Sequence, residues 1–218
     1  MRPTWHRETV GGKAAVDQEF WESLGKRQLV FLQGQGLEPH HFVLDMGCGA
    51  LRAGVHLIDF LEDGRYYGFD KEILLLQAGV IYEAKDAGVI DREFTLVAND
   101  RFDLSIVPED VRFDYAISHS LFTHLTPKQI MSCLSGVFTR MAPGGAYYST
   151  FHPAPEVDLS TPLDGDQAWR KNERWLTKFP FDTIDGIANV VGLHAQLIGD
   201  WGHPDNDKGF QKMVKFSR

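Results

Sequence analysis

Positive charge is scarce in this chain. Its 22 lysines and arginines stand against 30 aspartates and glutamates, a formal net charge of −8. Proteins that hold nucleic acid neutralise phosphates and carry a basic balance, so neither DNA nor RNA is an expected partner. Cysteine is nearly absent. Cys48 and Cys133 form no Cys-x-x-Cys pair and no disulfide framework, as in a protein of a reducing compartment. No apolar run approaches the roughly 20 residues of a membrane helix. The start, Met1 to Glu8, lacks the apolar core of a secretory leader. A soluble, cytoplasmic protein away from membranes is expected. The histidines include no i, i+4 or His-x-His pair within a helix; the nearest approach, His119 and His124, has a spacing of five. No metal is expected. Internal repeats are lacking too, and nothing in the composition sets an oligomeric state.

What is present suits one α/β domain: 218 residues, 43% of them hydrophobic. Residues 1–15 are polar and glycine-bearing and read as a mobile arm. A helix is expected from Asp17 to Gln33, with Phe20, Leu24 and Phe31 on its apolar stripe, ended by Gly34 and Gly36. Strands are expected at 41–45, 66–70, 94–98, 113–118, 146–151, 195–199 and 212–216. Helices alternate with them: one carrying Leu51, Val55, Ile58 and Leu61, then 71–87, then a helix opened by Thr126-Pro127-Lys128-Gln129, a capping box with proline at the first helical position. That helix buries Ile130, Cys133, Leu134, Val137 and Met141, and Pro143-Gly144-Gly145 turns the chain into the next strand. A last helix covers 182–191. Such alternation calls for a mostly parallel sheet with helices on both faces. Its ligand belongs at the carboxyl ends of the strands, near the switch point.

Two features sit there. Val43-Leu44-Asp45-Met46-Gly47-Cys48-Gly49 is a strand running into a glycine turn, where the backbone approaches a ligand without Cβ atoms in the way. The helix beyond is expected to add free N–H donors and a positive dipole end. A nicotinamide fingerprint wants a third glycine, and Arg52 stands at that position. Asp45, two residues before Gly47, suits a cationic amino group instead. Asp70 follows about 20 residues on, at the end of the second strand, where a carboxylate accepts from ribose hydroxyls; taken alone it is equally a loop acid or a helix cap. Cys48, with no histidine nearby, packs in the turn.

With these motifs in order, the chain resembles the class I S-adenosylmethionine (SAM)-dependent methyltransferases. Val43 to Gly49 matches their first motif and Asp70, with Lys71 beside it, their ribose-binding acid. Asn99-Asp100 matches the adenine-contacting position, Phe113 to Ser118 the fourth-strand motif, and Met141 to Gly145 the turn before the fifth strand. The resemblance covers residues 40 to 151. It implies a seven-stranded sheet whose last strand is antiparallel, with SAM as cofactor and S-adenosylhomocysteine as product. It places Ser118 and His119 near the methionine end. One departure is Leu51, where the family often has another glycine. Arg52 reaches a carboxylate or makes a surface or inter-helix ion pair.

Transfer from a sulfonium needs a positioned acceptor, and a proton acceptor where a hydroxyl or ammonium is methylated. His119 and, second, His203 are the candidates; His124 and His152 also lie near strand ends. The domain reading is an N-terminal arm and helix over 1–36, with Gly11-Gly12 as hinge of a lid, and a methyltransferase domain over 37–218. An insertion at about 152–181 carries Trp169, Trp175, Phe179 and Phe181, which either line an acceptor pocket or anchor the insertion. A small-molecule acceptor is expected, methylated at O or N before C. The competing readings are an NAD(P)-dependent oxidoreductase, a non-catalytic SAM- or nucleoside-binding module, and a propylamine transferase, the last disfavoured because the loop after the third strand offers only Asp100 and Asp103 as a close acidic pair.

Overall fold

The computed structural model describes residues 3–154, 177–201 and 211–218. Contacts divide the chain into two compact units, Met1–Ile117 and Ser118–Arg218.

The first unit opens with α1 (Trp5–Gly11), a 3-10 turn at Lys13–Val16 and α2 (Gln18–Gly34). Then come β1 (Val43–Met46), α3 (Gly54–Phe60), β2 (Tyr66–Asp70), α4 (Ile73–Ala78), β3 (Thr95–Ala98) and β4 (Phe113–Ser118). The strands are parallel in the order β3-β2-β1-β4. β1 is buried along its whole length, as expected of a strand with a neighbour on each side and both faces covered. From β1 the chain steps outward to β2 and β3, then crosses to the other side of β1 for β4. The order therefore reverses at β1, and its carboxyl end is the switch point where ligands of such sheets bind. Asp45 pairs with Gly68 on one side and Ile117 on the other.

Two readings of the amino-terminal region change. The segment read as an arm is helix α1, with His6 and Arg7 buried. Its polar side chains are enclosed because they meet a buried carboxylate: Arg7 Nε and Nη2 each donate to Glu83 at 2.8 Å, and His6 Nε2 lies 2.6 Å from the same group. Glu83 reaches them from a π-helical turn, Gly79–Ala84, that continues α4. α2 begins as expected, with the Asp17 side chain accepting from Phe20 N, but its buried residues are Trp21, Gly25, Gln28 and Leu32 rather than the Phe20, Leu24 and Phe31 stripe. The helix packs through Gly25, where an added Cβ would lie 2.0 Å from the Arg52 carbonyl oxygen. Backbone cannot yield as a side-chain tip does. Gly25→Ala is therefore expected to cost about 1–3 kcal/mol or more, read as a lowered urea midpoint; an unchanged midpoint would refute this packing.

The second unit holds a 3-10 turn (Phe122–His124), α5 (Pro127–Phe138), β5 (Met141–Pro153), β6 (Lys178–Phe179), α6 (Phe181–Val190), β7 (His194–Trp201) and β8 (Gln211–Ser217). β8 lies antiparallel between β5 and β7, and the short β6 runs parallel to β5. The capping box of Thr126 and Gln129 is formed, and Ile130, Cys133, Leu134 and Val137 are buried behind it. Met141 opens β5 instead of closing the helix, and the Pro143-Gly144-Gly145 turn lies within that strand. Besides β6, the described residues form four strands in the first unit and three in the second. This is the expected α/β class: a mostly parallel seven-stranded sheet with an antiparallel last strand. Phe179 is buried. Trp169, Trp175 and most of the expected insertion lie outside the described residues, as does His203.

Candidate functional site

The glycine turn at the end of β1 is built on β2. Gly47 N and Cys48 N both donate to the Phe69 carbonyl, at 2.7 and 3.0 Å, and Gly49 N donates to Asp70 Oδ2 at 2.9 Å. These amides hold the turn closed. α3 begins only at Gly54, and of its first amides those of Val55, His56 and Leu57 donate back to the Leu51 and Ala53 carbonyls rather than standing free as the sequence led one to expect. Gly47 and Gly49 have φ of 79° and 54°, left-handed backbone that favours glycine. Leu51 adopts the same region at φ 62° and is fully buried. The residue that departs from the family pattern has kept the backbone that glycine would take.

Asp70 is only partly buried, and its two oxygens each accept one backbone N–H, from Gly49 and from Glu72 at 2.9 Å. A carboxylate has about four lone-pair positions, so Asp70 keeps acceptor capacity at the mouth of the turn. Lys71, beside it, is exposed and 3.8 Å from Glu72. After β3, Asn99 closes its own loop: Nδ2 donates to the Asp103 carbonyl and Oδ1 accepts from Arg101 N. Of the Asn99-Asp100 pair, Asp100 is thereby the outward, exposed side chain.

Asp45 lies below the turn, 3% exposed, and accepts from the Tyr66 hydroxyl at 2.9 Å. Burial pushes its carboxyl up to about 7. The charge of Asp70 acts in the same direction, while the Tyr66 hydrogen bond and Arg52 oppose it. Arg52 is buried, not on the surface; burial lowers its guanidinium to about 10 against the pull of Asp45. The guanidinium stands 5.5 Å over the Trp21 ring, which packs with Ala15 and Ala50 of the turn. Burial drives the Cys48 thiol well above its usual value, which removes it as a thiolate nucleophile. α1 covers this region: a Cβ on Gly49 would stand 3.1 Å from Val10 Cγ2. Sequence reasoning missed Val10 and Tyr66. Neither carries a local signal, because each is defined by what it packs against.

In the second unit, Ser118 is buried and bonded to Tyr147 (2.8 Å) and Ser149 (2.7 Å). Its hydroxyl is taken up by the sheet. His119 stands with its ring 6.1 Å from that of Trp201 and Nδ1 3.3 Å from Ser120 Oγ. His124 is exposed in its 3-10 turn and His152 half-buried. Among the described residues no three His, Cys, Asp or Glu side chains gather closely enough to hold a metal ion, and no helix is long and apolar enough to cross a membrane.

No protein-family model matches the chain, but solved structures do. The magnesium protoporphyrin IX methyltransferase of Synechocystis PCC 6803, solved with bound SAM, gives a TM-score of 0.64 at 14% identity, covering 90% of this chain and 79% of that one. DhpI in complex with SAM and HEP gives 0.63 at 16% identity, covering 99% and 95%. A putative O-methyltransferase of Nostoc punctiforme gives 0.61 at 17%, covering 93% of this chain and 61% of its own. This chain has the SAM-dependent methyltransferase fold. In that fold the glycine turn, Asp45 and Asp70 all belong to the carboxyl edge of the parallel strands, the place its topology reserves for a ligand.

Proposed function

We propose that this protein is a SAM-dependent methyltransferase acting on a small molecule. The observation that carries the reading is the site at the switch point: a two-glycine turn tied to Asp70, with a buried acid, Asp45, beneath it. The residues suit the cofactor. Gly47 and Gly49 supply the left-handed backbone of the turn, and Asp70 has acceptor capacity for ribose hydroxyls. Asp100 is turned outward where an adenine amino group would find it, and Asp45 offers charge to an ammonium. Cys48 walls the turn, Asn99 shapes its loop, and Lys71 flanks the ribose acid. Ser118 and His119, at the carboxyl end of β4, serve the methionine end and the acceptor, with His203 as a further candidate. The bound cofactor supplies a methyl group already activated on a sulfonium. The chain's own task is to hold, align and exclude water. Helix α1, lying against the glycine turn, is the lid of the site. The test is label transfer from methyl-labelled SAM to a panel of small acids, phenols and amines. Label in a small-molecule product supports the reading. Binding of the cofactor with transfer to none of them favours a non-catalytic module.

The Asp45 assignment has a pH signature. Its carboxyl is held at about 7 in the free protein, and an ammonium ligand pairs only with the ionised form. Binding must then displace a proton below that value. Affinity for S-adenosylhomocysteine is expected to fall by up to about tenfold for each pH unit below about 7. Asp45→Asn is expected to remove that slope. A flat wild-type profile from about pH 5.5 to 7 would detach Asp45 from the ligand.

A further inference from the structure

The outer face of α4 and of the π-helical turn that continues it is apolar. Ile73, Leu74 and Ile81 are 56%, 61% and 55% exposed, while Leu75, Leu76, Ala78 and Ala84 are buried on the opposite face. Single exposed aliphatic residues are ordinary. A group of them on one helix face marks a surface that another body covers. Trp5 borders the patch: it is 45% exposed, its ring meets His6 edge-on at 5.8 Å, and His6 stacks on Tyr82 at 5.4 Å.

The π-helical turn, Gly79–Ala84, straightens this face. Around an unbroken α-helix, Ile81 and Lys85 would drift about 80° and about 120° away from Ile73. A turn closed by i→i+5 bonds advances less per residue. Both residues therefore come back over the line of Ile73 and Gln77, and Gln77 and Lys85 are exposed along it. A straight row is what a second helix packs against.

The charges at the two ends of the row complement each other when the row is reversed. Lys71-Glu72 stands before the helix and Lys85-Asp86 closes it, so each end reads positive, then negative. An antiparallel copy sets Glu72 against Lys85 of the other chain and Lys71 against Asp86. A parallel copy sets like charges together. Within one chain Lys71 and Glu72 meet only at 3.8 Å and both are exposed, a contact of little strength that does not hold Glu72 away from a partner.

We propose that this face is the interface of a homodimer, with α4 of one copy packed antiparallel on α4 of the other. The occupant is a second copy because the face matches itself. Ile73 of one chain lies by Ile81 of the other, and the Glu72–Lys85 pair forms twice about the two-fold axis. Such a contact closes at two copies and covers both rows at once. The apolar row supplies the burial, and the end charges fix the direction. The proposal goes beyond the methyltransferase reading and needs no ligand.

The test is sedimentation velocity of the full chain between about 1 and 200 µM. The wild type is expected to sediment as a dimer at the upper end. Ile81→Glu puts a carboxylate in the middle of the apolar row and is expected to abolish the dimer, with urea unfolding confirming that the exposed substitution leaves the fold intact. Leu74→Glu replaces it should that variant fail to fold. Glu72→Lys and Lys85→Glu each turn both end pairs into like charges, and each is expected to weaken association about fivefold or more. An equimolar mixture of these two variants makes the pairs opposite again and is expected to regain the lost affinity as a heterodimer. A wild type that stays monomeric throughout overturns the proposal, as does a dimer that survives both Ile81→Glu and Leu74→Glu. Charge variants that associate like the wild type, or a mixture no tighter than its parts, overturn the antiparallel arrangement.

Discussion

Arg7→Ala is expected to remove about 3–5 kcal/mol of stability, the usual cost of leaving half of a buried ion pair behind. Arg7 is 2% and Glu83 5% exposed, and the guanidinium meets both carboxylate oxygens at 2.8 Å. It also donates to Gln18 and stands 5.4 Å over the Trp21 ring. Truncation takes both guanidinium bonds from Glu83 and leaves the His6 contact in place. Because the pair joins α1 to the π-helical turn, the loss should appear both in the urea midpoint and as hydrogen exchange of the α1 amides at the rate of an open segment. Arg7→Met with Glu83→Leu removes both charges together and is expected to recover most of the stability. If Arg7→Ala changes stability by less than about 1 kcal/mol, the cluster is a weak surface-type pair and α1 is not fastened by it.

Asp70→Ala is expected to weaken S-adenosylhomocysteine binding by about 100-fold or more. A hydrogen bond to a charged group contributes about 1.5–3 kcal/mol, the proposed ribose role gives this carboxylate two hydroxyls to accept from, and each 1.4 kcal/mol is about tenfold. The same substitution frees Gly49 N, which Asp70 Oδ2 now holds, so the turn loosens as well. Asp70→Asn, which keeps the size and one acceptor oxygen, is expected to fall between the two. Calorimetry reads the affinity and urea unfolding confirms that the variant is folded. An Asp70→Ala protein that binds like the wild type would remove Asp70 from the ribose role.

The strands and the glycine turn were legible because their signals are local. Val43 to Met46 is an apolar run buried on both faces, Tyr66 to Asp70 ends at its acid, and Thr126 carries its cap in the next three residues. The amino-terminal region was not, because its determinants are distant. Arg7 is a surface residue until its partner Glu83, 76 positions on, is known. The buried stripe of α2 includes Gly25 and Gln28, which a hydrophobic pattern scores as polar, and Gly25 is there for the Arg52 backbone it touches. The candidate site divides in the same way. Asp45, Gly47, Gly49 and Asp70 are readable from spacing, whereas the Ser120–Gln211 contact spans 91 residues and the positive φ of Ser120 has no glycine to announce it. Asn99 shows the limit of spacing: its side chain is spent on its own loop.

The central claim is the identity of the ligand at the end of β1, and calorimetric titration of the full chain with S-adenosylhomocysteine and, separately, with NAD tests it most directly. Saturable binding of S-adenosylhomocysteine and none of NAD is the predicted result. Binding of NAD, or of neither, would contradict the account.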